Sequence, residues 1–442
     1  MFESLPGFRD FYPEDFGVRQ ALFQRWKEAV ESAGFVGYDG PVLEPLELYI
    51  EKSGEEIVEQ LFHFVDKGGR RVALRPEMTP TLGRMAGARA NGMRKPVKWY
   101  NIGDHFRFER PQKGRTRCFT QLNVDILGEP GVAADAESIH TLVLVFRSFG
   151  LTCEDFYIRL SDRELWSFAM DAWGVSADKR GYVLSAIDKM ERMDREALVS
   201  WLSEHVGELA GLIYDDARKL AAIHDLDGLI AWGRSLGLSA ERREVLDARM
   251  AEWSVLMGAL RDLGCGDYVV IDPGIVRGLA YYTGFVFEAF EKRRKSRALA
   301  GGGRYDNLVG KLGGPDLHAV GWAMGDVTML DCLEFCGKTP HEAVRPKLFM
   351  VFGESERGVC FGDVDVLRSA GCRVVYSYRS NAGYGKQLKE ASQSGCSHAL
   401  IYGPDELAVG EVTVKDLASG TGIRVKREEL AAYIGALDLK GS

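Results

Sequence analysis

Arg107, Glu109, Arg115 and Arg117 fall within one stretch, FRFERPQKGRTRCFTQLNVD (106–125). Five of the eleven side chains from Arg107 to Arg117 are cationic, in a chain whose formal net charge is −8. Strand-like alternation on both sides of a PQKG turn predicts a hairpin. If Phe106 and Phe108 face one side, Arg107 and Glu109 share the other. Planar guanidinium forks suit phosphate oxygens better than ammonium groups do. The chemistry this hairpin offers is recognition of a phosphate or a nucleic-acid backbone.

Three further stretches carry chemistry-bearing types. In LRPEMTP (74–80) an acid, Glu77, lies between Arg75 and Thr79 at a strand end, a composition suited to an ammonium group. In VRGLAYYTGFVFEAF (276–290) Arg277 precedes two tyrosines on an expected strand, Tyr281 and Tyr282 pointing to opposite faces. In LAGGGRYDNLVG (299–310) three successive glycines permit a tight turn or close backbone approach to a ligand. No P-loop, dinucleotide fingerprint, HExxH or serine elbow occurs. The eight cysteines include no CxxC pair, and no side-chain metal set is assigned.

The elements that must position these residues follow from periodicity. Arg19 to Ala33 has helical spacing and stops at Gly34, whereas GYDGPVLEPLELY reads as extended. Residues 70–74, 97–108 and 119–127 are strand-like, and 135–149 is a helix with an apolar stripe. Residues 164–238 are almost wholly helix-forming, an expected insertion containing Trp166, Trp201 and Trp232. Strands are expected again at 268–272, 281–290 and near 321–324. After a linker around Cys336–Arg345, short apolar strands alternate with helices, the pattern of a small α/β domain with a largely parallel sheet.

At 442 residues the chain exceeds the ~250–300 at which single cores stop growing, so two or three domains are expected. Hydrophobic and charged fractions of 46% and 27% are ordinary for a soluble globular protein. The N-terminal stretch lacks the charged-then-apolar pattern of a signal peptide, and no uncharged stretch reaches ~18 residues. A cytoplasmic enzyme without membrane association is the expectation.

Taken in order, the motifs resemble those of histidyl-tRNA synthetases, a family of class II aminoacyl-tRNA synthetases. The resemblance runs from GFRDFYPED at residue 7 to EVTVKDL at 411–417. FRFERPQKGRTR resembles the second class II motif, RGLAYYTG the histidine-specific motif and GGGRYDNLV the glycine-rich strand; Pro41 stands at the first motif's proline. This implies an α/β chain: an α+β catalytic domain with a mainly antiparallel sheet (1–163 and 239–335), a helical insertion domain (164–238) and a C-terminal α/β anticodon-binding domain (344–442).

The implied reaction is ATP-dependent formation of histidyl-adenylate followed by transfer to the 3′ end of tRNA(His), with Mg²⁺ accompanying the pyrophosphate and a homodimer as the assembly. By matched position, Arg107 contacts the α-phosphate, Glu109 the adenine amine and Arg115 the outer phosphates, while Arg277 stabilises the α-phosphate transition state. Glu77, Thr79, Gln121 and Asp125 fall at the histidine ammonium site. Tyr281, Tyr282 and Tyr305 fall in the imidazole pocket, with Tyr282 the candidate for direct recognition. Gln112 and Arg117 are placed at the tRNA acceptor end.

The chain departs from the family pattern at Asp125 (usually Glu), at Ala280 (usually Asp) and at Thr328, which stands at the arginine of the third motif. The alternative is a non-catalytic paralogue, such as the histidine-sensing regulatory subunit of ATP phosphoribosyltransferase. The intact QKGRTR and the C-terminal domain count against it.

Overall fold

The computed structural model describes residues 2–53, 55–112, 114–190, 192–275, 282–294, 297–341, 347–379 and 382–438. Arg277 and Tyr281 lie outside the described residues, as do Ala280 and Lys113. The chain divides into two compact units, Met1–Pro340 and His341–Ser442.

Unit one begins with α1 (Pro13–Ser32), whose buried Leu22, Trp26, Ala29 and Val30 recur at helical spacing. It ends where Gly34 adopts φ 80° and its N–H bonds the Glu31 carbonyl. Then come β1 (Val36–Gly37), β2 (Leu43–Pro45), α2 (Leu46–Ser53), β3 (His63–Val65), β4 (Arg71–Leu74) and α3 (Thr79–Arg89). The LELY segment, expected to be extended, is helical: Leu46 and Tyr49, three apart, are both buried, and Pro45 ends the strand just before the helix. β5 (Val97–Phe106), β6 (Cys118–Leu127), α4 (Val132–Ser148) and β7 (Phe156–Asp162) follow.

The helical tract contains α5 (Arg163–Ala172), α6 (Arg180–Lys189), α7 (Arg195–Val206), α8 (Leu209–Ala221), α9 (Leu226–Ser235) and α10 (Ala240–Asp262). Side chains of Asp162, Asp194, Asp225 and Ser239 accept N-terminal amides of α5, α7, α9 and α10. β8 (Val269–Ile271), β9 (Phe285–Glu291), β10 (Ala300–Arg304), α11 (Leu308–Lys311), β11 (Ala319–Gly325) and α12 (Asp326–Phe335) complete the unit.

Among the described residues the main sheet has the order β1-β5-β6-β11-β10-β9-β7-β8. β1 and β8 pair parallel to their neighbours and the interior pairs are antiparallel. One face, bearing Leu122, Val124, Trp322, Phe285 and Phe287, packs into a core with Trp26 of α1 and Ile139, Leu142 and Phe146 of α4. Val183, Leu198, Ile213 and Leu229 of the helical tract belong to that same core, so the tract is continuous with the sheet's packing.

The glycine run does not form a turn; it lies inside β10. A Cβ at Gly303 would lie 2.6 Å from the Phe285 carbonyl oxygen, and one at Gly302 would overlap the Gly321 carbonyl. Only glycine lets these strands stay paired. Arg304 at the strand end is almost fully buried; its Nε donates to both Asp135 oxygens at 3.2 Å and its Nη2 to the Gly131 carbonyl at 3.0 Å. It braces β10 to α4.

Unit two contains β12 (Lys347–Phe352), α13 (Arg357–Ser369), β13 (Arg373–Tyr376), α14 (Tyr384–Gln393), β14 (His398–Tyr402), α15 (Pro404–Ala408), β15 (Glu411–Asp416), β16 (Gly422–Lys426) and α16 (Leu430–Asp438). β13, β12 and β14 are parallel, but β14–β15 and β15–β16 are antiparallel. The sheet is mixed rather than largely parallel, because the short helix α15 after β14 and a short turn after β15 each return the chain antiparallel.

Candidate active site

β5 and β6 pair from Val97↔Leu127 to Phe106↔Cys118. Beyond the strands, Arg107 N–H donates to the Arg117 carbonyl at 3.0 Å, and Gln112 and Arg115 close the tip through reciprocal backbone bonds. Arg117 N–H donates to the Gly7 carbonyl at 2.8 Å, which anchors the hairpin to the N-terminal segment. The expected Phe106/Phe108 alternation fails at Phe108, because the chain leaves the sheet after Phe106. Phe108 is half exposed, edge-on to Phe62 and covered by the Arg117 guanidinium 4.5 Å from its ring.

The sheet face opposite the core holds the cleft. Gln121 pairs with Gly325, Ala323 with Gly301, and Gly301 with Glu288. Across the two central strands, β11 and β10, the floor is therefore glycine and alanine, low enough for a flat group to rest on the backbone. Arg107, Arg115, Arg297, Glu109, Phe119, Val327 and Thr328 also line this cleft. Arg107 Nε donates to the Pro76 carbonyl at 3.1 Å, and its guanidinium stands 5.4 Å from the Phe119 ring. Arg115 Nε meets Glu109 Oε2 at 2.6 Å. Arg117 Nε donates to the Glu109 carbonyl at 3.1 Å, so it props the hairpin, while Gln112 is exposed at the tip.

Further along β6, on the same face as Gln121, lies Asp125. Its carboxyl is 5% exposed and accepts a hydrogen bond from the Tyr305 hydroxyl. Burial raises its pKa to about 7, against a smaller lowering by the Tyr305 bond. Gly321, opposite Asp125, has no room for a side chain: a Cβ would lie 2.6 Å from the Val124 carbonyl. Tyr305 belongs to an apolar cluster with Leu82 and Ala86 of α3 and Leu308, and Tyr38, Trp99 and Tyr282 border that cluster.

Tyr282 precedes β9 instead of lying on a strand, and its carbonyl accepts Arg163 Nη1 at 2.5 Å. Glu77, between β4 and α3, and Thr79, which opens α3, are half-buried in a segment tied to the hairpin through Pro76. Arg75, flanking Glu77 in sequence, is 2% exposed and holds Asp39 and the Gly40 and Asp104 carbonyls. It is a structural brace.

Several site residues were not legible in the sequence. The Tyr38 hydroxyl is buried without a hydrogen-bond partner among the described residues, and burial followed by the Asp125 charge raises its pKa. Asn101 Oδ1 and Asn123 Nδ2 are likewise buried and unpartnered among the described residues. These two asparagines face each other on β5 and β6, on the Asp125 side of the sheet. Strand alternation alone would have put them there. Arg297 had no sequence signal separating it from its charged neighbours. Among the described residues no three His, Cys, Asp or Glu side chains cluster to hold a metal.

A mainly antiparallel sheet with a helix-packed face, and an opposite face where arginines surround a glycine floor, defines a class II aminoacyl-tRNA synthetase catalytic unit. The Histidyl-tRNA synthetase family model matches residues 7–328, and the Anticodon binding domain model matches 352–437. The chain is 47% identical to a histidine–tRNA ligase of Opitutus terrae, over 98% of each chain, and 36% identical to one from Halobacterium salinarum over 99% of this chain and 98% of that one. Its fold resembles the crystal structure of histidyl-tRNA synthetase from Nostoc sp. PCC 7120, with a TM-score of 0.81, 23% identity and 99% of both chains covered. The chain belongs to the histidyl-tRNA synthetase family. Its reaction is the ATP-dependent activation of histidine to histidyl-adenylate and transfer to the 3′ end of tRNA(His), and the full-length likeness to ligases favours this over the regulatory paralogue.

Proposed function

We propose that ATP occupies the glycine-floored cleft and that histidine occupies the adjoining pocket at Asp125 and Tyr305. The observation that supports this reading is their continuity: Gln121 lines the cleft, and Asp125 lies four residues, two strand repeats, further along the same face of β6. Arg107 meets the α-phosphate, Arg115 the outer phosphates and Glu109 the adenine amine. Arg277 is assigned to the α-phosphate transition state on the family resemblance.

The chemical obstacle is attack by an anionic carboxylate on an anionic phosphate. A histidine carboxylate oxygen forms the bond to the α-phosphorus while the bond to the pyrophosphate oxygen breaks. Fixed guanidinium groups lower the repulsion, and paired sites align the reactants. In the second step the tRNA 3′-terminal hydroxyl attacks the histidyl carbonyl, and AMP leaves. Glu77, Thr79, Gln121 and Asp125 hold the ammonium group; Tyr282 and Tyr305 flank the imidazole, and Tyr281 is assigned to the same pocket on the family resemblance alone. Mg²⁺ would accompany the pyrophosphate and would supply charge neutralisation there beside Arg115.

Gln112, exposed at the hairpin tip, and Arg117 are assigned to the tRNA acceptor end, the helical tract 164–238 to covering the acceptor stem and residues 344–442 to the anticodon. A cytoplasmic homodimer is the proposed assembly; exposed Val36, Leu43, Phe64 and Val65 supply apolar surface for it.

Histidine-dependent exchange of pyrophosphate into ATP tests the site. Arg107→Ala should lower exchange by about 100-fold or more, the scale of losing a fixed transition-state donor, with the folded state intact by circular dichroism. Wild-type exchange in that variant would overturn the placement of ATP.

A further inference from the structure

We propose that Arg297 is a further phosphate-binding cation of the cleft, beside Arg107 and Arg115, supplying the charge that position 328 does not. This rests on the reading that ATP occupies the cleft. Residues 297–299 lead directly into β10, and β10 pairs with β11 from Ala300↔Met324. Arg297 therefore enters the cleft at the end of the strand pair from which Val327 and Thr328 leave on α12, and all three line it. A Cβ built on Gly114 would lie 3.5 Å from Arg297 Cδ, so the arginine stem lies against the hairpin tip between Gln112 and Arg115.

Charge decides the argument. Among the described residues the cleft lining contains three arginines, Arg107, Arg115 and Arg297, and two carboxylates, Glu109 and Glu288. Without Arg297 the described lining would hold two charges of each sign, and Arg115 is already paired with Glu109. A balanced pocket has little net attraction for a triphosphate, whereas a guanidinium fork offers paired, charge-assisted hydrogen bonds to phosphate oxygens. Thr328 presents a short hydroxyl, 3.4 Å from the Gly325 carbonyl to which it donates, and has no charge to contribute. Arg297 also interacts within the protein, so nucleotide binding exchanges its partner, as for Arg115.

The test is pyrophosphate exchange on the full-length enzyme with ATP and histidine varied separately. Arg297→Ala should lower kcat/KM for ATP by about 10- to 100-fold, the scale of a charge-assisted hydrogen bond, with the histidine KM changed less than about twofold. Arg297→Lys should recover part of the loss. Thr328→Arg in the Arg297→Ala background should restore activity toward ATP, and no gain would overturn the substitution of one position for the other.

An ATP effect below about twofold, or equal losses for ATP and histidine, would overturn the phosphate role. Arg107→Ala and Arg115→Ala are measured alongside. If they also spare ATP, the placement of ATP in the cleft fails. If they impair ATP use while Arg297→Ala does not, only the role of Arg297 fails.

Discussion

Asp125 shows how burial can outweigh a hydrogen bond in setting the state of one side chain. Its folded carboxyl holds a proton up to about pH 7, whereas an unfolded aspartate loses it near ~3.9. Between these values the native state binds the extra proton, so this group's contribution to stability falls as pH rises through the window. A shift of about three units corresponds to at most about 4 kcal/mol. Asp125→Asn keeps an acceptor for the Tyr305 hydroxyl and removes the charge. Its stability advantage over wild type in urea should therefore widen from pH 5 to pH 8. A constant difference would show that the wild-type carboxyl is ionised throughout. With Asp125 proposed to hold the histidine ammonium group, the same substitution should raise the histidine KM by about tenfold, the scale of a lost charge-assisted hydrogen bond.

The strand β10 separates two uses of glycine within three residues. At Gly302 a methyl group would overlap backbone atoms of Gly321 and Trp322, which cannot move without unpairing the strands. Gly302→Ala should cost about 3 kcal/mol or more in chemical denaturation, at the upper end of overpacking penalties. At Gly301 the nearest atom to an added Cβ is Glu288 Cγ at 3.5 Å, an ordinary contact. Gly301→Ala should therefore leave Tm unchanged within about 2 °C. The methyl would stand on the floor of the cleft and should raise the ATP KM several-fold. Equal stability of the two variants would contradict the strand register; equal ATP affinity of Gly301→Ala and wild type would contradict the cleft as the ATP site. Tertiary packing sets the difference, since the residues are adjacent and identical in type.

The two units have separate cores. The sheet and helices of residues 1–340 share one large apolar cluster, whereas Leu348, Met350, Leu400 and Tyr402 centre another within residues 341–442. A unit of this length buries enough surface to fold by itself. A chain ending at Pro340 should retain histidine-dependent pyrophosphate exchange within about tenfold. It should lose about 100-fold or more in tRNA charging, from the lost second attachment and its effective concentration. Parallel losses in both assays would show that the C-terminal unit supports the adenylation site. No described helix is long and apolar enough to cross a membrane.

The local sequence determined the β5–β6 hairpin, its cationic tip, the helical tract and the strand–helix alternation after residue 346, because each is written in periodicity within a short window. The family resemblance added the proposed roles of Arg107, Glu109 and Asp125. Tertiary structure decided what these residues meet. Residues near 107–121, 288, 297–301 and 323–328 reach one cleft only because the strand order is β6-β11-β10-β9. Alternation tells which face a side chain takes, but long-range strand pairing determines its neighbours. That is why Arg304, beside the glycines, became a buried brace to Asp135, whereas Arg297 entered the cleft. It is also why Tyr38, remote in sequence from Asp125, shares its electrostatic surroundings.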